Sequence, residues 1–194
     1  SDDIVYREKS ETAAMIVRTA GTHIRFGSFE KFYHDGLFDR HKELCDYAIS
    51  QYFPDKDKLN NKYAYLLENI VTRTASLIAH WQSVGFCHGV MNTDNMSILG
   101  ETLDYGPYGF IDNFSPSHVC NLSDSSGRYS YQNQPYVGMW NCSALGHTFS
   151  HLIDKEEISR IMSMYEKTYA EKLFTLYKNK LGIKKVVEAD EFLI

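Results

Sequence analysis

A chain of 194 residues, 43% hydrophobic and 14% aromatic, has room for one domain with its own core and is too apolar for a disordered segment. Its net charge of −5 argues against a general nucleic-acid binder, because duplex binding rests on basic surfaces that meet phosphates. No apolar run reaches the ~20 residues that span a bilayer, so no membrane partner is expected, and nothing at the N-terminus resembles a signal peptide.

In chain order, residues 12–19 alternate between small, apolar and polar types, with Met15, Ile16 and Val17 ahead of Arg18, and read as a strand or a short helix. Residues 23–27 read as a short strand carrying Arg25. Residues 28–34 and 39–53 read as helices; Leu44, Tyr47, Ala48 and Tyr52 recur at helical spacing, and Pro54, which has no backbone donor, closes the second. Polar residues 55–61 make a surface loop. A long helix follows from Lys62 to Val84, with Leu66, Ile70, Leu77, Ile78 and Trp81 on its apolar face and Gly85 suited to its end. Thr74, Ser76 and His80 on that helix read as packing or surface groups.

Short strands are expected near 97–99, 101–103 and 109–111, punctuated by Gly100, Gly106 and Pro107. Residues 113–132 read as irregular, either a packed loop held by Tyr129 and Tyr131 or a platform for a macromolecular partner. Helices return at 133–149, with Met139, Trp140, Leu145 and Phe149 as core candidates, and at 154–182. The last is striped by Ile158, Ile161, Met162, Tyr165, Tyr169, Leu173, Leu176 and Tyr177. Such a stripe is core rather than a ligand box, and Lys178, Lys180, Lys184 and Lys185 suit the helix dipole. Cys45, Cys87, Cys120 and Cys142 form no Cys-x-x-Cys pair, so structural zinc is not expected and reduced, packed thiols are.

The most informative segment is Phe86-Cys87-His88-Gly89-Val90-Met91-Asn92-Thr93-Asp94-Asn95, with Asp104-Tyr105-Gly106 beyond it. A kinase signature runs His-Arg-Asp, then a metal-binding Asn, then Asp-Phe-Gly. His88 to Asn95 keeps the His-to-Asn spacing, and Asp104-Tyr105-Gly106 exchanges one aromatic ring for another. The usual base position, two after the His, is Val90, which cannot take a proton; Asp94 is the replacement. Mg²⁺ prefers hard oxygens, usually one or two protein carboxylates with phosphate oxygens and water. Asn95 and Asp104 offer such oxygens, and Asp94 is placed to accept a hydroxyl proton. His88 reads as a scaffold residue, and Asp112 as a turn or support residue. Asp-Asn pairs and Asp-Tyr-Gly also occur in ordinary turns; order and spacing together carry the reading.

The run HGVMNTDNMSILGETLDYGPYGFID, His88 to Asp112, closely resembles the selenoprotein O (YdiU) family of protein adenylyltransferases. Val17 to Gly27, Arg73 to Ala79, Cys120 to Asp124, Gly127 to Ser130 and Asn133 to Pro135 extend the resemblance over nearly the whole chain. It implies a kinase-like fold that transfers AMP from ATP, bound in a flipped orientation, to Ser, Thr or Tyr hydroxyls of protein substrates. It implies Asp94 as the proton acceptor, Asn95 and Asp104 as ligands of Mg²⁺ (Mn²⁺ being the alternative), Asp104 also on the nucleotide, and Arg18 and Arg25 on the ATP phosphates. A guanidinium suits phosphate because its planar fork is bidentate and stays charged. The resemblance also favours strand over helix for residues 12–19. The compartment it implies is the cytoplasm of a bacterium or the mitochondrion of a eukaryote.

The expected fold class is α+β, mostly helical: a single kinase-like C-terminal lobe over 1–194 with short strands at the active cleft. The Gly-rich loop, lysine and glutamate partner of such folds are not matched in this sequence, so the chain reads as part of a longer protein. Two alternatives stay open: a phosphotransferase of ordinary kinase type using the same residues, and a non-catalytic lobe that binds nucleotide or protein.

Overall fold

The computed structural model describes residues 3–6, 10–15, 17–53 and 61–183. Ile16, Pro54, the loop over 55–60, Lys184 and Lys185 lie outside the described residues. The chain is α+β and mostly helical. A small antiparallel pair, β1 (Ile4–Tyr6) and β2 (Ser10–Thr12), opens it, followed by α1 (Phe26–His34), α2 (Phe38–Tyr52) and α3 (Lys62–Val84). A second antiparallel pair joins β3 (Phe86–Cys87) to β4 (Gly109–Phe110), and α4 (Gln134–Thr148) and α5 (Lys155–Lys180) complete the fold.

α3 is the axis of the core. Asn61 caps its start by accepting from Ala64 N at 3.1 Å, which satisfies one of the donors a helix leaves unpaired. Gly85 ends it in the left-handed region, φ 70°, where glycine carries no steric cost. Leu66, Leu67, Ile70, Val71, Ala75 and Ile78 are fully buried, and α3 lies along α5 and against α4. The apolar positions recur every three or four residues, so one face of a long helix meets two partners. From α5, Ile161, Tyr165 and Leu173 are buried against this face. Glu156 and Glu157 in its first turn and Lys178 and Lys180 in its last complement its dipole. Lys180 Nζ also donates to Ser83 O near the end of α3.

The helices thus fall where periodicity predicts them, with ends shifted by a residue or two. Most of the strands do not, β4 excepted. Residues 13–15 and 17–20 have no regular structure, so the strand expected over 12–19 is reduced to its first residue, the end of β2. The strand expected over 23–27 is one bridge, Arg25 to Ser97, and α1 has already begun at Phe26. The strands expected at 97–99 and 101–103 are likewise isolated bridges, at Ser97 and between Met96 and Thr102. These segments pair too briefly to form a sheet, because each leaves the pairing after one or two bonds. Trp140, expected in the core, is 46% exposed on α4. Its ring instead lies under the Arg128 guanidinium, 5.1 Å from the centroid.

A buried imidazole ties α1, α2 and α4 together. His41 is fully buried; its Nε2 is 3.1 Å from Thr148 Oγ1, its Nδ1 3.7 Å from Cys45 Sγ, and its ring packs on Phe29, Tyr33, Phe149 and His151. Burial, and secondarily the charge of His151, push its pKa down to about 4. The fold therefore holds His41 neutral, while an unfolded histidine protonates near 6.5. Between those values the unfolded state binds the extra proton, so stability is lost as pH falls from about 6.5 toward 4. His41→Gln should flatten that part of the pH profile, checked by thermal melts of both proteins at pH 7.0, 5.5 and 4.5.

Candidate active site

The loop after α3 is held by side chains rather than by a sheet. β3 pairs with β4 for two residues only, Phe86 with Phe110 and Cys87 with Gly109. Gln134, fully buried at the start of α4, donates from Nε2 to Phe86 O at 2.9 Å and accepts from His88 N at 2.8 Å. The Cys120 thiol donates to Cys87 O at 3.3 Å, Asn121 Nδ2 to Gly89 O at 3.1 Å, Asn95 Nδ2 to Val90 O at 2.9 Å, and Asn141 Nδ2 to Met91 O at 2.8 Å. Buried carbonyls without partners are costly, and here donors from α4, from segment 120–121 and from the loop itself meet five of them. Gly89, at φ 82°, is the turn that makes this possible. A Cβ there would stand 2.8 Å from Cys120 Sγ and 2.9 Å from Pro107 O.

His88 Nε2 is buried with no hydrogen-bond partner. The residue is fully buried, and Val90 N donates to its Nδ1 at 3.4 Å. Burial lowers its pKa, opposed in part by the charge of Asp104. Two residues before Asp104, Thr102 Oγ1 accepts from Trp81 Nε1 at 3.0 Å. Tyr105 turns back onto the aromatic cluster, its ring 5.2 Å from Tyr108 and 6.4 Å from Phe86. Beside these, the Cys120 thiol lowers the Cys87 pKa to about 7, while hydrogen bonding to Cys87 and burial raise that of Cys120. All four cysteines are free.

Arg25 is joined to the acid-bearing turn by backbone. Besides its bridge to Ser97, Phe26 N donates to Met96 O at 3.1 Å and Ile98 N to Ile24 O at 3.4 Å. Gly21 N reaches Glu101 Oε2 at 3.1 Å. Asp94 lies in the 3-10 turn Thr93–Asn95, exposed, against the first turn of α1, and Thr93 Oγ1 donates to Glu30 Oε2 at 2.6 Å. The structure thus brings Arg25, Asp94 and Asn95 together and carries the hairpin from Met96 on to Asp104. Arg18 is half-buried, and its Nη1 is buried with no hydrogen-bond partner. Asp112 is exposed just past β4. A separate cleft of about 380 Å³, lined by Thr72, Arg73, Ser76, Leu77, His80, Leu99 and Gly100, includes none of the expected site residues.

The donor set suits a hard cation and an anionic ligand. The Asn95 amide nitrogen is committed to Val90 O, which leaves its oxygen for a ligand. The half-buried Asp104 carboxylate makes no hydrogen bond or ion pair among the described residues, in which no group of three or more His, Cys, Asp and Glu side chains is placed to hold a metal. Asn95 and Asp104 could each offer a hard oxygen of the kind Mg²⁺ takes alongside phosphate oxygens and water. The buried, unpaired Arg18 nitrogen is a ready donor for phosphate oxygens.

The family profile described as protein adenylyltransferase SelO matches residues 1–194, and the chain belongs to that family. It is 50% identical over 183 residues to the protein nucleotidyltransferase YdiU of Aliivibrio salmonicida, covering 94% of this chain and 38% of that protein. It is 52% identical over 184 residues to that of Herminiimonas arsenicoxydans, covering 94% and 37%. To that of Vibrio vulnificus (strain CMCP6) it is 46% identical over 193 residues, covering 100% and 39%. The chain thus spans under two fifths of the length of these relatives. Among the described residues no helix is long and apolar enough to cross a membrane.

Sequence reasoning did not find the amide clamps. Gln134 lies 46 residues from His88, and Asn141 50 residues from Met91; neither has a local signature. Gln134→Ala should destabilise the protein by about 2–3 kcal/mol, since it strands one buried donor and one buried acceptor at once. Urea unfolding of both proteins would measure it.

Proposed function

We propose that the chain carries the metal- and phosphate-binding half of a nucleotidyltransferase of kinase-like fold, which moves AMP from ATP to a Ser, Thr or Tyr hydroxyl of a protein. The observation that carries this reading is the register between two segments: Arg25 is bridged to Ser97, two residues past Asn95 and three past Asp94. In this reading Arg18 and Arg25 hold the phosphates, and Asn95 and Asp104 would hold Mg²⁺. The ion would supply charge neutralisation at the phosphates when bound. Asp94 takes the proton of the attacking hydroxyl as the hydroxyl oxygen bonds the α-phosphorus, and the α–β bond of ATP breaks to release pyrophosphate. The family membership and the names of the relatives support nucleotidyl transfer. Val90 at the position two after His88 supports Asp94 rather than the usual kinase base, since its side chain holds no proton site.

Chemistry of this kind depends mainly on positioning and charge. The amide clamps around His88 and the unpaired Arg18 nitrogen both suit that demand, one by fixing the loop and the other by leaving a donor for the ligand. The bacterial cytoplasm, where ATP and protein acceptors are both abundant, is the compartment that fits.

The test is label transfer onto protein from α-labelled and γ-labelled ATP with Mg²⁺, in the complete protein that carries this chain. Label from the α position alone is expected; label from the γ position alone would make the reaction phosphotransfer, and no label would overturn both. Asp94→Ala and Asp104→Ala should each lower transfer by at least about 100-fold. Asp104→Ala should also weaken Mg²⁺ dependence, and calorimetry with Mg·ATP would separate loss of binding from loss of chemistry.

A further inference from the structure

The second residue of α1 is Gly27. It is not among the positive-φ glycines, so its backbone conformation is open to any residue, and glycine is a poor choice inside a helix. What requires it is room. A Cβ built on Gly27 would lie 1.9 Å from Asp94 Oδ1 and 3.0 Å from Asp94 Cγ, while Asp94 Cα stands at an ordinary 3.6 Å. The space a side chain would take is filled by the Asp94 carboxylate itself. Neighbouring contacts hold the same register: Thr93 to Glu30 on the next turn of α1, and Phe26 N to Met96 O at its start.

We propose that Gly27 is a positioning residue for Asp94: its bare Cα is the seat of the Asp94 carboxylate. It fixes that group against the first turn of α1, and so against Arg25, two residues upstream. The first turn of α1 then acts as a gauge between the phosphate-holding arginine and the proton acceptor. This rests on the reading of Asp94 and Arg25 given above. The seat itself rests on geometry alone.

The experiment is a double-mutant cycle of Gly27→Ala and Asp94→Ala. Alanine suits a helix better than glycine, so without the carboxylate the substitution meets no obstacle. Gly27→Ala should turn the exposed Asp94 carboxylate out of its seat, so the melting temperature should fall relative to the change that the same substitution makes in the Asp94→Ala background. In the complete protein, Gly27→Ala should lower kcat at least about tenfold while KM for ATP changes less than about threefold, because the acceptor is displaced and the phosphate site is not. An equal loss of melting temperature in both backgrounds would overturn the proposal, since the cost would then not involve Asp94. An unchanged kcat in Gly27→Ala beside an inactive Asp94→Ala would overturn it too. If Asp94→Ala keeps full transfer, the acceptor assignment is what fails, and the thermal cycle still decides whether Gly27 seats Asp94.

Discussion

The structure around the candidate site depends on one constraint: the backbone between β3 and the Thr93–Asn95 turn is buried but too irregular to pair with a sheet. Phe86, Cys87 and Met91 are buried, as are His88 and Gly89. Carbonyls in such a place need partners. Gln134 and Asn141 supply them from α4, Cys120 and Asn121 from the irregular segment, and Asn95 from the loop's own end. Side-chain amides therefore do the work that a strand ladder does elsewhere. One consequence concerns Asn95. Its amide nitrogen is spent on Val90 O, so the orientation of its oxygen is set by the loop it closes.

The same economy explains why α4 and the irregular segment stand where they do. Gln134 begins α4 and bonds both Phe86 and His88, so the start of that helix is pinned to the loop. Segment 113–130 has little regular structure but is fixed at intervals. Asp124 accepts from Arg128 N at 3.0 Å and Tyr129 N at 2.8 Å, and Tyr131 N donates to His118 O at 2.9 Å. Tyr131 also exchanges bonds with Gln82, its hydroxyl donating to Gln82 O and its carbonyl accepting from Gln82 Nε2 at 2.6 Å. α3, the loop and the segment thus form one connected unit. Of the two readings open for 113–132, the contacts of Tyr129 and Tyr131 match a packed loop along its inner edge. Leu122 and Phe114 remain exposed at 71% and 77% on the outer one.

What the sequence discloses divides along the range of the interactions. α3 is legible to the residue, because its start rests on Asn61, its end on Gly85 and its face on a 3.6-residue repeat, all local signals. The order His88, Asp94, Asn95, Asp104 is legible because spacing along a loop survives in the chain. Most of the strands are not, β4 excepted. Arg25 and Ser97, 72 residues apart in sequence, meet for a single bridge, and no alternation develops over so short a contact. Trp140 was misplaced for a related reason. Its aromatic ring suggests burial, yet beside the expected Leu145 the helix α4 buries Val137, Gly138, Asn141 and Cys142, mostly small or polar residues that a hydrophobic count ranks below a tryptophan. α4 needs those residues because α3 and α5 approach it closely: a Cβ on Gly138 would stand 2.1 Å from Ile78 Cδ1 and 2.4 Å from the Tyr165 hydroxyl.

Close approach without a side chain recurs at the site, and it is the feature hardest to read from sequence. Gly27, Gly89 and Gly100 each admit a neighbour where a Cβ would stand: the Asp94 carboxylate, the Cys120 thiol with Pro107 O, and the Arg73 backbone at 2.8 Å. In sequence they are three scattered glycines that make no phosphate loop. In space, Gly100 sets the hairpin down on α3, Gly89 admits segment 107–120 to the loop, and Gly27 admits the acid to α1. Each contact fixes one of the three elements that carry the expected residues. The hairpin carries Asp104, the loop ends in Asn95, and α1 follows directly on Arg25. The glycines therefore matter for distance rather than for chemistry. The proposed site would need its charges held at fixed separations, and in that reading the missing side chains would help to set them.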